Sequence, residues 1–564
     1  MTDLVDGRAA PAASADDDAP HAEVDEAPEI GARTPSATSG RVAKAIDWLQ
    51  RRTLPQILLT AAVVGYTVYF SVRSLAIHHA FGTASYDSAL YDQGLWLLSQ
   101  GEAPFVTLMG RNLFGDHTSF ILIFLVPFYW VTPGAAILFI SQSAVLAAGA
   151  IPIFLYGRRR LESEWLALAP AVAYLLHPAI GWTNLENFHP DAFLGVLVGF
   201  AIYGALERKW VLYAVAVVLA LSVKEDVVLV MVPLGIWVAM RRDRRIGLLT
   251  IGGAIAFALV ALFVVMRGLI GMPTRNGWRI PFGGVGGLVD TTVTNPTQLA
   301  DHLTSDERPW YLWQLTAPFA WLFLRLPSVA MIGGLVMFTN ILSTYWYQYQ
   351  IRYHYSVVIV PALAMGSVYA IGAIRDRWDP TSGPLAGFSI PLRSVAVIVL
   401  ATSSFVTATL WAPMPWSRDP GWIPPASSPW VDNAQLLMDQ IPDDAVVSAH
   451  YRITPHIAYR EEIYQFPTPF RSVLYGPEGL LDGPRLPERS ERVEYVMLPT
   501  ANDFPVADWL VIRPAFMLVD RNAHWELWIR DPSIELPEPC SPAVSCTPAV
   551  PGHRERRAVR RAVG

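Results

Sequence analysis

The sequence predicts a polytopic α-helical membrane protein of about eleven spans carrying a small C-terminal α/β domain, and three observations carry that prediction. Of its 564 residues, 52% are hydrophobic and only 16% are charged, where soluble domains carry about 25%. Aromatic residues make up 12%, with 20 Trp, as expected of a chain with two interfacial belts. The apolar residues are also gathered into long runs. A spanning helix needs about 20 mostly apolar residues, and the candidates are Leu54–Val72, Gly134–Tyr156, Trp165–Ile180, Ala192–Leu206, Trp210–Val223, Val227–Met240, Ile246–Met266, Tyr311–Leu324, Val329–Thr344, Ser356–Ile374 and Leu392–Trp411.

Residues 1–45 are rich in Ala, Asp, Glu, Pro and Ser without apolar periodicity and read as a disordered acidic tail. No positive segment precedes an apolar run there, so they do not read as a signal peptide. Residues 536–564 form a second tail, basic from His553 to Arg561. Its two cysteines, Cys540 and Cys546, read as incidental thiols, with one small disulfide as the alternative, and cannot make a zinc site alone. A net charge of −6 without a basic stripe excludes a nucleic-acid partner.

Orientation turns on Ser119–Val131, an apolar run covering only about 20 Å at helical rise against a hydrocarbon core of about 30 Å. If it does not cross, the basic clusters Arg51–Arg52, Arg158–Arg160, Arg208–Lys209, Arg241–Arg245 and Arg375–Arg377 all fall on the cytoplasmic side. It therefore reads as an interfacial or re-entrant helix within a long first outer loop, residues 74–131. The predicted organisation is a membrane domain over 46–411, a Pro- and Trp-rich linker over 412–431 and an extracytoplasmic domain over 432–535. That last region has strand-like runs at Ala445–Ala449, Tyr495–Leu498 and Ala515–Val519. The expected location is the plasma membrane, with the N-terminus cytoplasmic.

On this topology the polar residues gather on the outer side, clustered with aromatics at the membrane boundary. The first loop carries Tyr86–Trp96, with Asp87 and Asp92, and then Gly115-Asp116-His117. The next turn carries Glu186-Asn187-Phe188-His189-Pro190-Asp191, the third Lys224-Glu225-Asp226, and the last Arg352-Tyr353-His354-Tyr355. Wound as a helix, Asp87–Gln100 places Ser88, Asp92, Gln93, Ser99 and Gln100 on a polar arc and Asp87 at the start of the apolar face. Desolvation there would raise the Asp87 pKa, which suits a general base; a helix N-cap is the alternative. Asp92 reads either as a substrate contact or as a solvated interfacial charge. Glu186, His189 and Asp191 suit substrate contact or loop hydrogen bonding, and their donor types also suit a divalent ion. No cofactor is required, and no metal site is assigned. Lys224, Arg352 and His354 suit phosphate at headgroup level; an internal salt bridge is the alternative for Lys224 and snorkelling for Arg352.

These motifs, Tyr86–Trp96, Gly115-Asp116-His117, Asn187–Asp191 and Lys224–Asp226, resemble the predicted-membrane-protein family labelled domain of unknown function 2079, over roughly residues 54–530. That family is grouped with the GT-C type glycosyltransferases, which are similar in having an acidic first outer loop, many spans and often an outer C-terminal domain. The resemblance implies a polyprenyl-phosphate-linked sugar donor, a glycan, lipid or protein acceptor, and a first-loop carboxylate as base. Asp87 matches that acidic position best. Ser88 stands where a second acidic residue is common, which leaves Asp87 and Asp92 both open. A role in cell-envelope glycan assembly follows from the resemblance, alongside a transporter or flippase and a non-enzymatic membrane scaffold as alternatives.

Overall fold

In a computed structural model of the chain, residues 51–274, 276–378, 389–476 and 479–537 are described. The acidic tail up to residue 50, the tail from residue 538 and both cysteines lie outside them. Everything below belongs to the compact unit that begins at Leu54.

Five runs are long and apolar enough to cross a membrane: α1 (Leu54–His79), Ala135–Arg160, Arg244–Ile270, His354–Ile371 and Leu392–Trp411. The short helix α2 (Leu90–Gln100) follows α1 and ends on Gly101, whose φ of 82° supplies the left-handed cap. The run Ala135–Arg160 is α3. Helices α4 (Glu164–Leu175) and α5 (Pro178–Leu185) form a sixth crossing if their 43° bend is one broken span. The bend has a local cause. Pro178 has no N–H to continue the helix and forces His177 into extended backbone (φ −65°, ψ 130°), while the His177 ring accepts the Ala179 N–H. Next come α6 (Ala192–Leu206), α7 (Trp210–Leu221), α8 (Val228–Arg241) and the long α9 (Arg244–Ile270). Helix α6 has the expected bounds, and α7 ends two residues before the expected Val223. The expected spans Tyr311–Leu324 and Val329–Thr344 are broken into short pieces, including α10 (Arg308–Thr316) and α11 (Gly334–Leu342). Then come α12 (Val360–Ile371) and α13 (Leu392–Trp411). Among the described residues, five or six crossings are thus long and apolar enough by length and composition, and the shorter apolar helices leave the expected count of eleven unconfirmed.

Ser119–Val131 forms a 3-10 turn, Phe120–Leu125, followed by the single helical turn Val126–Tyr129. Ten residues rise about 15 Å, half of what a crossing needs. Helix ends tell the same story. The C-terminal ends of α1, α5 and α7 and the N-terminal ends of α6 and α8 meet around one cavity, through Asp87, Glu186, Lys224 and Asp191. The basic clusters at Arg208–Lys209 and Arg241–Arg245 close the opposite ends of α6, α7 and α8, and Arg158–Arg160 end α3.

The C-terminal region begins with α14 (Pro429–Met438) and contains β1 (Val447–Ala449), β2 (Ile463–Gln465), β3 (Tyr495–Pro499), β4 (Phe516–Arg521) and β5 (Trp525–Arg530). They form one sheet in the order β4-β5-β3-β1-β2, antiparallel from β4 to β3 and parallel from β3 to β2. Strand periodicity divides its side chains. Val447, Met497, Trp525 and Leu527 join the main helical core, while Val496, Leu498 and Trp528 pack with Trp509 and Phe516 in a second, smaller core. One face of the sheet is therefore continuous with the helical core.

With Cys540 and Cys546 replaced by Ser, a membrane-impermeant maleimide should label Arg418→Cys in intact cells and Arg245→Cys only after permeabilisation. Equal labelling of both before permeabilisation would contradict a cavity end and a basic end on opposite sides.

Candidate active site

The cavity at the joined helix ends has a volume of about 340 Å³, within the ~300–1,000 Å³ range of small-molecule sites. Asp87 enters it from the α1–α2 connection. The turn Ser85–Ala89 precedes α2, which starts at Leu90, three residues later than the amphipathic reading predicts. Asp87 caps nothing: the N-cap is Ala89, with no side-chain cap bond. Its backbone is instead held at φ 71°, ψ −78°, a strained γ-turn conformation for an L residue. The carboxylate opens into the cavity with 41% of the side chain accessible, and Oδ2 lies 3.9 Å from His189 Nε2.

The Glu186–Asp191 turn is pinned from within the bundle. Gln142, fully buried on α3, donates through Nε2 to the carbonyls of Thr183 (3.0 Å) and Asn187 (3.1 Å) and accepts the His189 N–H at 2.8 Å. Asn187 also accepts from the Ser88 hydroxyl at 3.0 Å, tying this turn to the Asp87 turn. Glu186 faces two imidazoles, with Oε1 3.4 Å from His189 Nε2 and Oε2 3.3 Å from His354 Nδ1. The same Oε2 accepts the His354 backbone N–H at 2.8 Å. Lys224 lies between Asp191 (3.6 Å) and Asp226 (3.7 Å). Glu225 turns away to bind His117 Nδ1 at 2.7 Å.

Burial alone would raise Glu186, but the His189 and His354 imidazoles outweigh it and hold the carboxylate down to about 2. Burial alone would lower His189, yet Glu186 and then Asp87 bring it up to about 9. Burial raises Asp87, and the opposing attraction of His189 only partly offsets it. Burial would raise Asp191, but Lys224 together with the His354, His189 and His117 imidazoles holds it down, and Lys224 is raised in turn by Asp191 and Asp226 against its burial. His189 Nε2 is buried and makes no hydrogen bond within the protein. This nitrogen lies between two carboxylates, 3.4 Å from Glu186 and 3.9 Å from Asp87.

Of the residues predicted from sequence, Asp87, Asp116, His117, Glu186, His189, Asp191, Lys224 and His354 line the cavity together. Asp92 and Arg352 do not. Asp92 is buried at 1% exposure and accepts from the Tyr129 hydroxyl at 2.8 Å, with burial pushing its pKa up to about 7. The arc read as solvated is covered, because Tyr129 and the C-terminal region pack over it: Gln93 beside Asp92 donates to the Glu461 carbonyl. Arg352 pairs with Asp419 at 2.6 Å and lies 4.4 Å over the Trp182 ring. The permanent cations in the lining besides Lys224 are Arg111 and Arg279. Arg111 binds Asp116, and Arg279 stacks 4.3 Å from the Tyr345 ring centroid. Tyr86, Tyr91, Tyr345, Tyr347, Tyr353 and Tyr355 complete an aromatic wall.

Donor atoms of Glu186, His189 and His354 lie within 4.8 Å of one another. The two imidazoles are stacked, however, with centroids 3.7 Å apart and planes only 23° from parallel. A ring lone pair lies in its ring plane, so an ion about 2.1 Å from both nitrogens would sit well outside at least one plane. The trio fits a hydrogen-bonded charge cluster better than a metal centre.

The family model described as "Predicted membrane protein (DUF2079)" matches residues 77–506, a stretch that contains every residue lining the cavity. The chain belongs to that family. Among solved structures, this family member is similar to ArnT from Cupriavidus metallidurans in the apo state, at 13% identity and a TM-score of 0.46, over 85% of this chain and 100% of that one. It is likewise similar to ArnT from the same organism bound to undecaprenyl phosphate, at 13% identity and a TM-score of 0.48, over 83% and 97%. No curated protein matches the chain.

The Glu186–His189 pair ties stability to pH. Glu186, held at about 2 against an ordinary 4.5, contributes stability above that ordinary value and loses it as pH falls toward 2. His189, raised from 6.5 to about 9, contributes fully below its ordinary value and loses its share as pH rises through 9. Glu186→Gln should therefore cost roughly 1–3 kcal/mol near neutral pH, with the deficit shrinking above pH 9 in thermal unfolding of the detergent-solubilised protein. A deficit independent of pH would contradict the pairing.

Proposed function

We propose that this protein is an inverting GT-C type glycosyltransferase that moves a sugar from a polyprenyl-phosphate donor to an acceptor hydroxyl at the outer membrane face. One observation carries the reading. A strained, accessible carboxylate, Asp87, shares a cavity at the ends of membrane-crossing helices with Lys224, Arg111 and Arg279 and a wall of tyrosines. A lipid-linked sugar phosphate needs that combination: apolar helices beside the site for its tail, cations for its phosphate, and aromatic faces with carboxylates for its sugar.

In the proposed reaction Asp87 takes the proton of the acceptor hydroxyl as that oxygen attacks the anomeric carbon. The bond from the anomeric carbon to the phosphate oxygen breaks on the opposite face, which inverts the configuration. The electron pair leaves with the polyprenyl phosphate, whose charge Lys224 and Arg279 stabilise. A raised pKa makes Asp87 a stronger base once ionised. His189, between Asp87 and Glu186, keeps the ionised form of Asp87 available. The acceptor class, whether glycan, lipid or protein, and a role in envelope glycan assembly belong to this proposal as well. A transporter fits less well, since the ionisable groups of the cavity come from helix ends rather than mid-span.

Membranes carrying Asp87→Asn should lose transfer by at least about a hundredfold, and Lys224→Ala by a similar factor. Mass spectrometry of the purified wild-type protein should find a co-purifying polyprenyl-phosphate sugar. Full transfer by both variants, or no such lipid across several extraction conditions, would sink the reading.

Because the stacked histidines fit a metal poorly, transfer should also survive EDTA, and the purified protein should hold no stoichiometric divalent ion by elemental analysis. Loss of transfer on chelation, restored by one metal, would reverse that assignment.

A further inference from the structure

The connection that carries Asp87 is bracketed by two non-glycine residues in the left-handed region, Phe81 at φ 59° and Asp87 at φ 71°. An L residue adopts such backbone only when its surroundings impose it. What surrounds this connection is the C-terminal region. Arg452 Nη1 donates to the Phe81 carbonyl at 2.8 Å, and the Phe81 ring lies 3.8 Å from the His456 ring and edge-on to Trp430 at 5.7 Å. Two residues before Asp87, the Ser85 hydroxyl is 2.6 Å from the Thr454 hydroxyl and 3.2 Å from the Tyr451 carbonyl. Thr454 also donates to that carbonyl at 3.2 Å. Ser85 and Thr454 are buried, at 1% and 0% exposure, so two hydroxyls and one carbonyl close a small triangle away from water.

A second tie lies further along the loop. The Thr107 hydroxyl donates to the Ile463 carbonyl at 2.6 Å and accepts the Ile463 N–H at 3.0 Å. It thereby occupies the open edge of β2, the last strand of the sheet. Gln93 on α2 donates to Thr107 and to the Glu461 carbonyl. The stretch on either side of Asp87 is therefore fastened to residues 451–463, in addition to the Ser88–Asn187 bond that ties the turn to the α5–α6 connection.

We propose that the segment Tyr451–Thr454 is a positioning clamp for Asp87. Thr454, through Ser85, and Arg452, through Phe81, hold the strained turn that presents the carboxylate to the cavity. This inference rests on the reading of Asp87 as the base. It gives the C-terminal region a defined task, which is to set the geometry of the base and not to bind the donor phosphate. Arg452 and Thr454 are positioning residues, because neither lines the cavity.

The test is hydrogen–deuterium exchange of the full-length protein in nanodiscs, read on peptides covering residues 84–90, with undecaprenyl phosphate as the binding probe. Thr454→Val should raise exchange there about tenfold, the consequence of removing one buried hydrogen-bond partner. Exchange around Lys224–Asp226, which makes no bond to the Asp87 turn, should be unchanged, and the apparent Kd for undecaprenyl phosphate should stay within about twofold, because Lys224 and Arg279 are untouched. Thr454→Ser, which keeps the hydroxyl, should restore protection, and Ser85→Ala should reproduce the loss from the other side of the contact. Unchanged exchange at 84–90 in both Thr454→Val and Ser85→Ala would overturn the clamp. So would a rise spread evenly over residues 429–530 with no rescue by Thr454→Ser. If the wild-type protein transfers no sugar, the glycosyltransferase reading fails while the exchange result still decides the clamp.

Discussion

Glu186, Asp191, Asp116, His189 and His117 are held toward their charged forms in this cavity because each faces an opposite charge within about 4 Å, and the shape of the site follows from that requirement. A buried ion left alone would neutralise by shifting its pKa. Here the shifts run the other way: His189 gains a proton between Glu186 and Asp87, and Asp191 loses one beside Lys224. Each pair joins two different connections. Glu186 joins the α5–α6 turn to His354, His117 joins the first loop to Glu225, and Lys224 joins the α7–α8 turn to Asp191. Breaking one pair loosens two loops at once, so the helix ends are fastened together by the same charges that face the ligand.

Against this paired background Asp87 is the exception. It receives no hydrogen bond from Arg or Lys, its nearest cation is the His189 ring at 3.9 Å, and it is the most accessible carboxylate in the lining for which exposure is resolved. A carboxylate tied to a guanidinium accepts protons poorly, because the ion pair stabilises its charged form. Asp116, bound to Arg111, is in that position and is held below its ordinary value. The difference between the two acids is one of partners, and it is the physical reason for assigning the base to Asp87.

Much of this was legible in the sequence, and the failures have identifiable causes. The motifs that line the cavity were found because ionisable residues beside apolar runs are costly and therefore conspicuous. The run Ser119–Val131, read as too short to cross from its length and from the basic clusters, forms a 3-10 turn and one helical turn. Asp92 was misjudged because helical periodicity shows only that an arc is polar, not what covers it; the cover is Tyr129 and residues 460–461, the latter more than 360 positions away. Arg352 was taken as a phosphate ligand for its neighbourhood with His354, yet consecutive residues in an irregular turn point apart, and its guanidinium went to Trp182 and Asp419. Arg279 and Gln142 left weaker signals: one sits in a long polar loop, the other is a single amide within an apolar run. The strands were legible where alternation was clean, at β1, β3 and β4. At β2 the strand has only three residues, and at β5 the run Trp525–Arg530 mixes apolar and charged residues on a strand buried between two neighbours.

The pairing of the cavity cations also bears on turnover. A lysine without partners would bind the donor's phosphodiester monoanion strongly as well as the transition state, and tight binding common to both does not speed the chemical step. Lys224 instead stands 3.6 Å from Asp191 and 3.7 Å from Asp226, longer than the ~2.7–2.9 Å of a tight charge-assisted hydrogen bond. A phosphate must compete with those carboxylates for the ammonium protons, and it competes best when its negative charge is greatest. In the proposed reaction that moment is the departure of the phosphate, when the oxygen formerly bonded to the sugar gains charge. Loosely partnered cations therefore favour the transition state over the bound donor, which is the differential that a glycosyl transfer at a lipid surface requires.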